Sequence, residues 1–335
     1  MNKIYLYEKA KEKGVKWLLA QNNGDGSYGP VEKGMHYFRV PWALAVSGHT
    51  AEAVANIEWI KKNMWTEDSD FNGKYPRPHG KHDGAFYIYP NAALIYGAHM
   101  LRQFDISIPG MEFLIKNYHD NENGGFYNNI DEAGPSGEKE MCNNSQGGLS
   151  ALMTGNIEIA KKVALFLKNV YDAQPELPDR LYIYYSTEKG LITDFSNKES
   201  GAKKTYVIEA QEPGQMYFAP GIATAFLVRL YMVTKNKEYL ELAEKYLEFS
   251  MGCTERQFEV PQVRKTGWGS ALLYQVTKKE IYKEWAIRVG DYMVVSQFDG
   301  GYWEQKEPHK QLEWTLRATA ESIVHLDTII GALST

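Results

Sequence analysis

The groups best suited to chemistry fall in a few short stretches. Glu140-Met-Cys142-Asn143-Asn144 puts a carboxyl, a thiol and two amides within about one helical turn. At a helix start, free backbone N–H groups and the macrodipole favour the anionic form of both acids; the plainer alternative is a small buried cysteine beside capping asparagines. His82 and Asp83, in His79-Gly-Lys-His82-Asp83-Gly, offer an acid/base pair, or simply a helix N-cap. Arg39 stands among rings in His36-Tyr37-Phe-Arg39-Val-Pro41-Trp42, placed to clamp an acidic substrate group or to pair with a loop carboxylate. Tyr87 precedes Tyr89-Pro90, and Gln215 and Tyr217 follow Glu212-Pro213-Gly214. Trp268, Trp303 and Trp314 serve as pocket wall or as core.

These residue types point to general acid/base catalysis. A carboxyl whose pKa is raised by apolar burial moves a proton, and aromatic faces stabilise positive charge in the transition state. Asp83, His82, Glu140 and Cys142 are the expected catalytic residues. His36, Tyr37, Arg39, Tyr87, Asn143, Gln215, Tyr217, Trp268, Trp303 and Trp314 are the expected substrate contacts. His79 and His82 lie three apart, but no third ligand follows at a recognised spacing, so no metal is expected. No P-loop, dinucleotide fingerprint, HExxH or GxSxG occurs, and no cofactor is expected.

Such residues need a frame, and the frame is a repeat. Trp17-Leu18 leads to Gln21 and Gly24-Asp-Gly26-Ser-Tyr28, and Phe113-Leu114 leads to Asn123-Gly124-Gly125-Phe126. Tyr292-Met293 leads to Gln297 and Asp299-Gly300-Gly301-Tyr302-Trp303. Each unit is the end of an amphipathic helix, a glycine turn and an aromatic. Weaker echoes at Trp59, Phe166 and Tyr246 bring the number of such helices to six. The spacing predicts charged, one-faced helices over about 3–21, 50–63, 105–118, 157–170, 236–250 and 279–297. Between them it predicts apolar, small-residue helices over about 36–48, 86–102, 143–154, 214–233, 266–276 and 313–333. Exposed and buried helices alternating six times describe an outer and an inner ring, an all-α (α/α)6 barrel formed by residues 1–335 as one domain. Connections from inner to outer helices are short, whereas those from outer to inner run about 12 to 40 residues. Every long loop therefore meets at one rim, which should hold the site. The longest, about 171–212, contains Leu181-Tyr-Ile-Tyr-Tyr185 and has room for a short β-hairpin.

The pattern of helix end, Gln, glycine turn and aromatic resembles the repeat of squalene-type terpenoid cyclases and protein prenyltransferases, whose toroid has the same double ring. The Cys142-Asn143 step is also similar to a cysteine stretch of linalool dehydratase-isomerases. What the resemblance implies is a cyclase, isomerase or dehydratase acting on an isoprenoid- or polyketide-like substrate, apolar or polyenic, in an aromatic-lined pocket. The Asp-x-Asp-Asp proton donor of squalene-type cyclases is absent, as is the acidic diphosphate motif. Two alternatives stay open: a glycoside hydrolase or sugar epimerase on the same six hairpins, and a non-catalytic binder of an apolar ligand.

Composition narrows the rest. The chain of 335 residues carries 37 Lys plus Arg against 42 Asp plus Glu, a formal charge of -5, which argues against a nucleic-acid partner. Two cysteines make no disulfide framework, and no apolar run is long enough to span a membrane, so a cytoplasmic protein is expected.

Overall fold

The computed structural model describes residues 2–75, 86–196, 198, 201–304 and 311–335. The outer helices are α1 (Lys3–Ala20), α3 (Thr50–Asn63), α5 (Phe104–Tyr118), α7 (Ile157–Asp172), α9 (Lys237–Gly252) and α11 (Glu280–Val295). The inner helices are α2 (Val40–Val46), α4 (Ile88–Met100), α6 (Met141–Met153), α8 (Ala219–Thr234), α10 (Arg264–Thr277) and α12 (Leu312–Leu333). Around the centre α2 packs on α4, α4 on α6, α6 on α8, α8 on α10, α10 on α12, and α12 back on α2. The inner ring is closed, and each inner helix also packs on an outer one, α12 on α1. This is an (α/α)6 barrel.

Burial follows the sequence pattern. In α7 only Ala160, Val163, Ala164, Phe166, Leu167 and Val170 are buried, a stripe at helical spacing. In α4 every residue from Ile88 to Ala98 is buried, because that helix has neighbours all round. Two inner helices start later than the periodicity suggests. Before α2 the chain forms a 3-10 turn, Val31–Tyr37, and the helix spans only Val40–Val46. Pro41 is the second residue of that helix, in the first turn, where its missing N–H costs no intrahelical hydrogen bond. Pro220 acts likewise at the start of α8, and Gly214 has a φ of +72°, a left-handed turn outside any helix.

The glycine turns have a packing role. Gly26, Gly124 and Gly301 have φ of +91°, +75° and +94°, a conformation costly to side chains. A Cβ on them would run into the carbonyls of Ala55, Lys162 and Lys13, each on the next outer helix round the ring. Two residues later Tyr28, Phe126 and Trp303 plug inward and are buried. The repeat motif therefore encodes how one outer helix exits against its neighbour.

The short turns 47–49, 101–103, 154–156, 235–236 and 278–279 lie at one rim, and the long connections at the other. Within those connections five short strands form: β1 (Lys139–Glu140), β2 (Arg180–Tyr182), β3 (Tyr184–Ser186), β4 (Gly190–Leu191) and β5 (Val207–Glu209). The β3–β4 pair is the expected hairpin, β1 adds to it with Glu140 opposite Tyr184, and β2 pairs with β5. Among the described residues no helix is long and apolar enough to cross a membrane.

Candidate functional site

Ionisable side chains from four inner elements converge inside the ring. Glu321, midway along α12, is the hub. Its Oε2 accepts from Arg264 Nε at 3.0 Å and Nη2 at 2.6 Å, while its Oε1 lies 3.2 Å from Lys265 Nζ and 3.3 Å from Arg39 Nε. Arg39 leads into α2, and Arg264 and Lys265 open α10, so one carboxylate ties three inner helices together. Burial alone would raise the Glu321 pKa, but Lys265, Arg264 and Arg39 outweigh it and hold the carboxyl well below its ordinary range. Lys265 is pulled the other way: burial lowers its pKa to about 8 despite Glu321.

Arg39 is completely buried and lies over three rings, 5.7 Å from Phe38, 5.4 Å from Trp42 and 5.3 Å from Tyr89. Its Nη2 donates to the Tyr89 hydroxyl and, at 3.3 Å, to Gln146 Oε1. Burial moves Tyr89 up to about 12, so it stays a neutral phenol. Trp268 touches Trp42 edge-on at 6.0 Å and stacks on His325 at 4.9 Å and 19°. Burial, with Arg39, Arg264 and Lys265 nearby, holds His325 well below its ordinary pKa and neutral despite Glu321.

The second carboxyl, Glu140, is the N-cap of α6, and its side chain accepts from the Asn143 N–H at 2.8 Å. Its own N–H donates to Asn128 Oδ1 at 2.9 Å, so strand and helix together fix its position. Complete burial raises Glu140 to about 7, against the lowering effect of the Cys142 and Asn143 N–H groups and of Lys265. Burial and then the adjacent Glu140 raise the Cys142 thiol well above its ordinary value, so it stays protonated. Two carboxyls that sense the same lysine thus titrate far apart. Several polar atoms in this centre are buried without a hydrogen-bond partner among the described residues: Arg39 Nη1, Gln146 Nε2, Trp268 Nε1, Glu140 Oε1 and both ring nitrogens of His325.

Of the residues expected from sequence, Glu140, Cys142, Arg39 and Trp268 meet here. Asn143 lies beside Glu140 with its amide on Asn128 at 3.0 Å. His36 and Trp314 are half-buried and face each other at 4.7 Å, with Arg317 against the Trp314 ring at 5.2 Å. Others are engaged elsewhere. Tyr37 donates to the Pro30 carbonyl at 2.9 Å and packs edge-on against Trp59 of the outer ring. Tyr87 donates to Asp70 and stacks on Tyr118, and Tyr217 donates to the Glu212 carbonyl. Gln215 bonds within its own loop, to Pro213 and Glu209, and Trp303 donates to Met293 O at 2.7 Å between α11 and α12. His82 and Asp83 lie outside the described residues. Among the described residues no cluster of His, Cys, Asp and Glu is arranged to hold a metal ion.

Sequence reasoning passed over Glu321, His325, Arg264, Lys265, Tyr89 and Gln146. A usable signal exists for part of this set: Arg317, Glu321 and His325 recur every four residues and so share one face of α12.

No protein-family model matches this sequence, and no curated protein is similar enough to count as a relative. Solved structures do match in fold. A D-mannose isomerase aligns with a TM-score of 0.66 at 14% identity, over 97% of each chain. The cellobiose 2-epimerase of Spirochaeta thermophila gives 0.66 at 12% identity, covering 99% of this chain and 98% of that one. The family 76 α-1,6-mannanase of Salegentibacter sp. gives 0.64 at 11% identity, covering 99% and 100%. At such identities the likeness is one of fold.

These findings correct the expectation of a terpenoid-type enzyme. The toroid is shared, but the solved structures named above are a sugar isomerase, a sugar epimerase and a mannanase. The centre of the barrel is also rich in guanidinium, ammonium, amide and carboxyl groups, which an apolar or polyenic ligand would leave desolvated and unpaired. The apolar substrate is withdrawn with it.

Proposed function

We propose that this chain is an acid/base enzyme acting on a sugar, and that its reaction is isomerisation or epimerisation beside the carbonyl. The observation that carries this is the split between two buried carboxyls. Glu140, at about 7, exchanges a proton near neutral pH, while Glu321 is held ionised by three cations and serves as a fixed counter-charge. Epimerisation at a carbon next to a carbonyl needs one base and one positive field. Glu140 carboxylate takes the proton from that carbon, the C–H electron pair becomes a C=C bond, and the carbonyl oxygen becomes an oxyanion. Lys265 then stabilises that oxyanion. Glu140, now protonated, returns the proton to C2 after the enediolate has turned its other face to it, which gives the epimer, or to C1 as the C2 hydroxyl proton passes to the C1 oxyanion, which gives the ketose. A hydrolase would need a second carboxyl free to act across the bond, and Glu321 is instead clamped. The likeness in fold to a mannose isomerase and a cellobiose epimerase supports the same class.

The test is deuterium exchange. Aldoses incubated with the protein in D2O should gain deuterium at C2, read by proton NMR, with an epimer or ketose accumulating. Glu140→Gln should reduce exchange by about 10²–10⁴-fold. Release of reducing ends from an α-1,6-linked mannan without C2 exchange would replace this proposal with hydrolysis.

A further inference from the structure

The centre holds more positive charge and more hydrogen-bond donors than its own residues answer. Arg39, Arg264 and Lys265 are buried and Arg317 is half-buried, and all four act on the same Glu321. A second carboxyl, Glu140, interacts with Lys265 of this group. Buried charge without an opposite partner is costly.

The donors have a direction. Gln146 turns its oxygen to Arg39 Nη2 at 3.3 Å, which leaves its amide nitrogen beside the guanidinium. Arg39 Nη1 and Gln146 Nε2 are thus N–H groups on two side chains in contact with each other, both completely buried and both lacking an acceptor. Trp268 Nε1, a donor only, is unpartnered in the same centre. A neutral sugar hydroxyl brings a donor with every acceptor and leaves the charge unanswered. A carboxylate is acceptor-only, carries the missing charge, and has two oxygens at the spacing of a guanidinium edge.

We propose that the substrate is a sugar acid, a hexuronate whose carboxylate is held by Arg39 and Gln146. This deepens the proposal of a sugar isomerase or epimerase and rests on it for the sugar, though not for the charge. Lys265 then remains available for the oxyanion, and Arg39 acts as the clamp that sets which end of the sugar enters first.

The test is binding to the intact protein, by calorimetry at neutral pH, of D-mannuronate, D-glucuronate and D-galacturonate. Each is compared with the matching neutral hexose, the uronate methyl ester and the hexose 6-phosphate. At least one uronate should bind ten-fold or more tighter than its hexose and its ester. Arg39→Gln should abolish that preference. Should Arg39→Gln fail to fold, Gln146→Leu is the second variant, expected to weaken the uronate several-fold and the neutral hexose hardly at all. Equal binding of uronate, ester and hexose would overturn the proposal, as would tighter binding of the sugar phosphate. The outcome is separable from that of the reaction class. Uronate binding without C2 exchange would keep the anionic ligand and reject the isomerase, and C2 exchange on neutral hexoses alone would do the reverse.

Discussion

In the proposed reaction, Glu140 is where a small number of atoms decides the chemistry. Its carboxyl sits near 4.5 when solvated and about 7 when buried in this fold. The native chain therefore binds more protons than the unfolded chain between those values, so this group's contribution to stability falls as pH rises from about 4.5 to about 7. The shift corresponds to about 3 kcal/mol, fully lost above the folded value. Urea denaturation at pH 5 and pH 8 should show this loss in the native protein, and Glu140→Gln should remove it. Catalysis runs the opposite way, because the base must be ionised. The rate should rise with pH through about 7, and decline again as Lys265, at about 8, gives up its proton. Lys265→Arg keeps the charge to much higher pH, so the alkaline decline should disappear from the pH profile while the acid limb stays. An alkaline limb unchanged in that variant would remove Lys265 from the mechanism.

The elements place these residues through close approach of backbones. Gly221 of α8 lies against the start of α10, where an added Cβ would stand 2.7 Å from the Lys265 carbonyl and from the Thr266 nitrogen. Gly221→Ala should cost about 1–3 kcal/mol by forcing the helices apart. It should also lower kcat per folded molecule, since it moves the residue that carries the ammonium. Gly26→Ala is the control. It breaks a left-handed turn against Ala55 on the outer ring, so thermal stability should drop while the kcat of the folded fraction holds. The elements were largely legible in the sequence because two signals coincide in them: the helical stripe, as in α7, and the glycine turn that each exit requires. The meaning of that turn was not legible. Gly26-Ser-Tyr28 and Gly301-Tyr302-Trp303 encode contact between neighbouring outer helices, and that requirement is shared by toroids with unrelated chemistry. Of the site, Glu140, Cys142, Arg39 and Trp268 stood out at inner-helix starts. Glu321 did not, because it lies well inside α12, and its partners on α10 and before α2 meet it only when the ring closes.

At the scale of the whole molecule, ring closure and the site depend on the same charge. Helix α12 packs against both α10 and α2, and Glu321 bonds across both seams, to Arg264 and Lys265 on one side and Arg39 on the other. Removing the carboxylate leaves buried cations facing one another, so Glu321→Gln should destabilise the fold by about 3–5 kcal/mol. The sign with pH follows from its depressed pKa. The stabilisation is complete above about 4.5 and is lost as pH falls toward the folded value, so the gap between native protein and variant should close in acid. Much of the loss is the cost of the stranded cations rather than the worth of the pairs. Neither variant keeps an ion pair to Glu321, but a double variant, Arg264→Met with Glu321→Leu, strands one cation fewer and should therefore unfold at higher denaturant than Glu321→Gln alone. Equal midpoints for the two variants would show that the seams are held by packing, and that the Glu321 cluster exists for the ligand rather than for the ring.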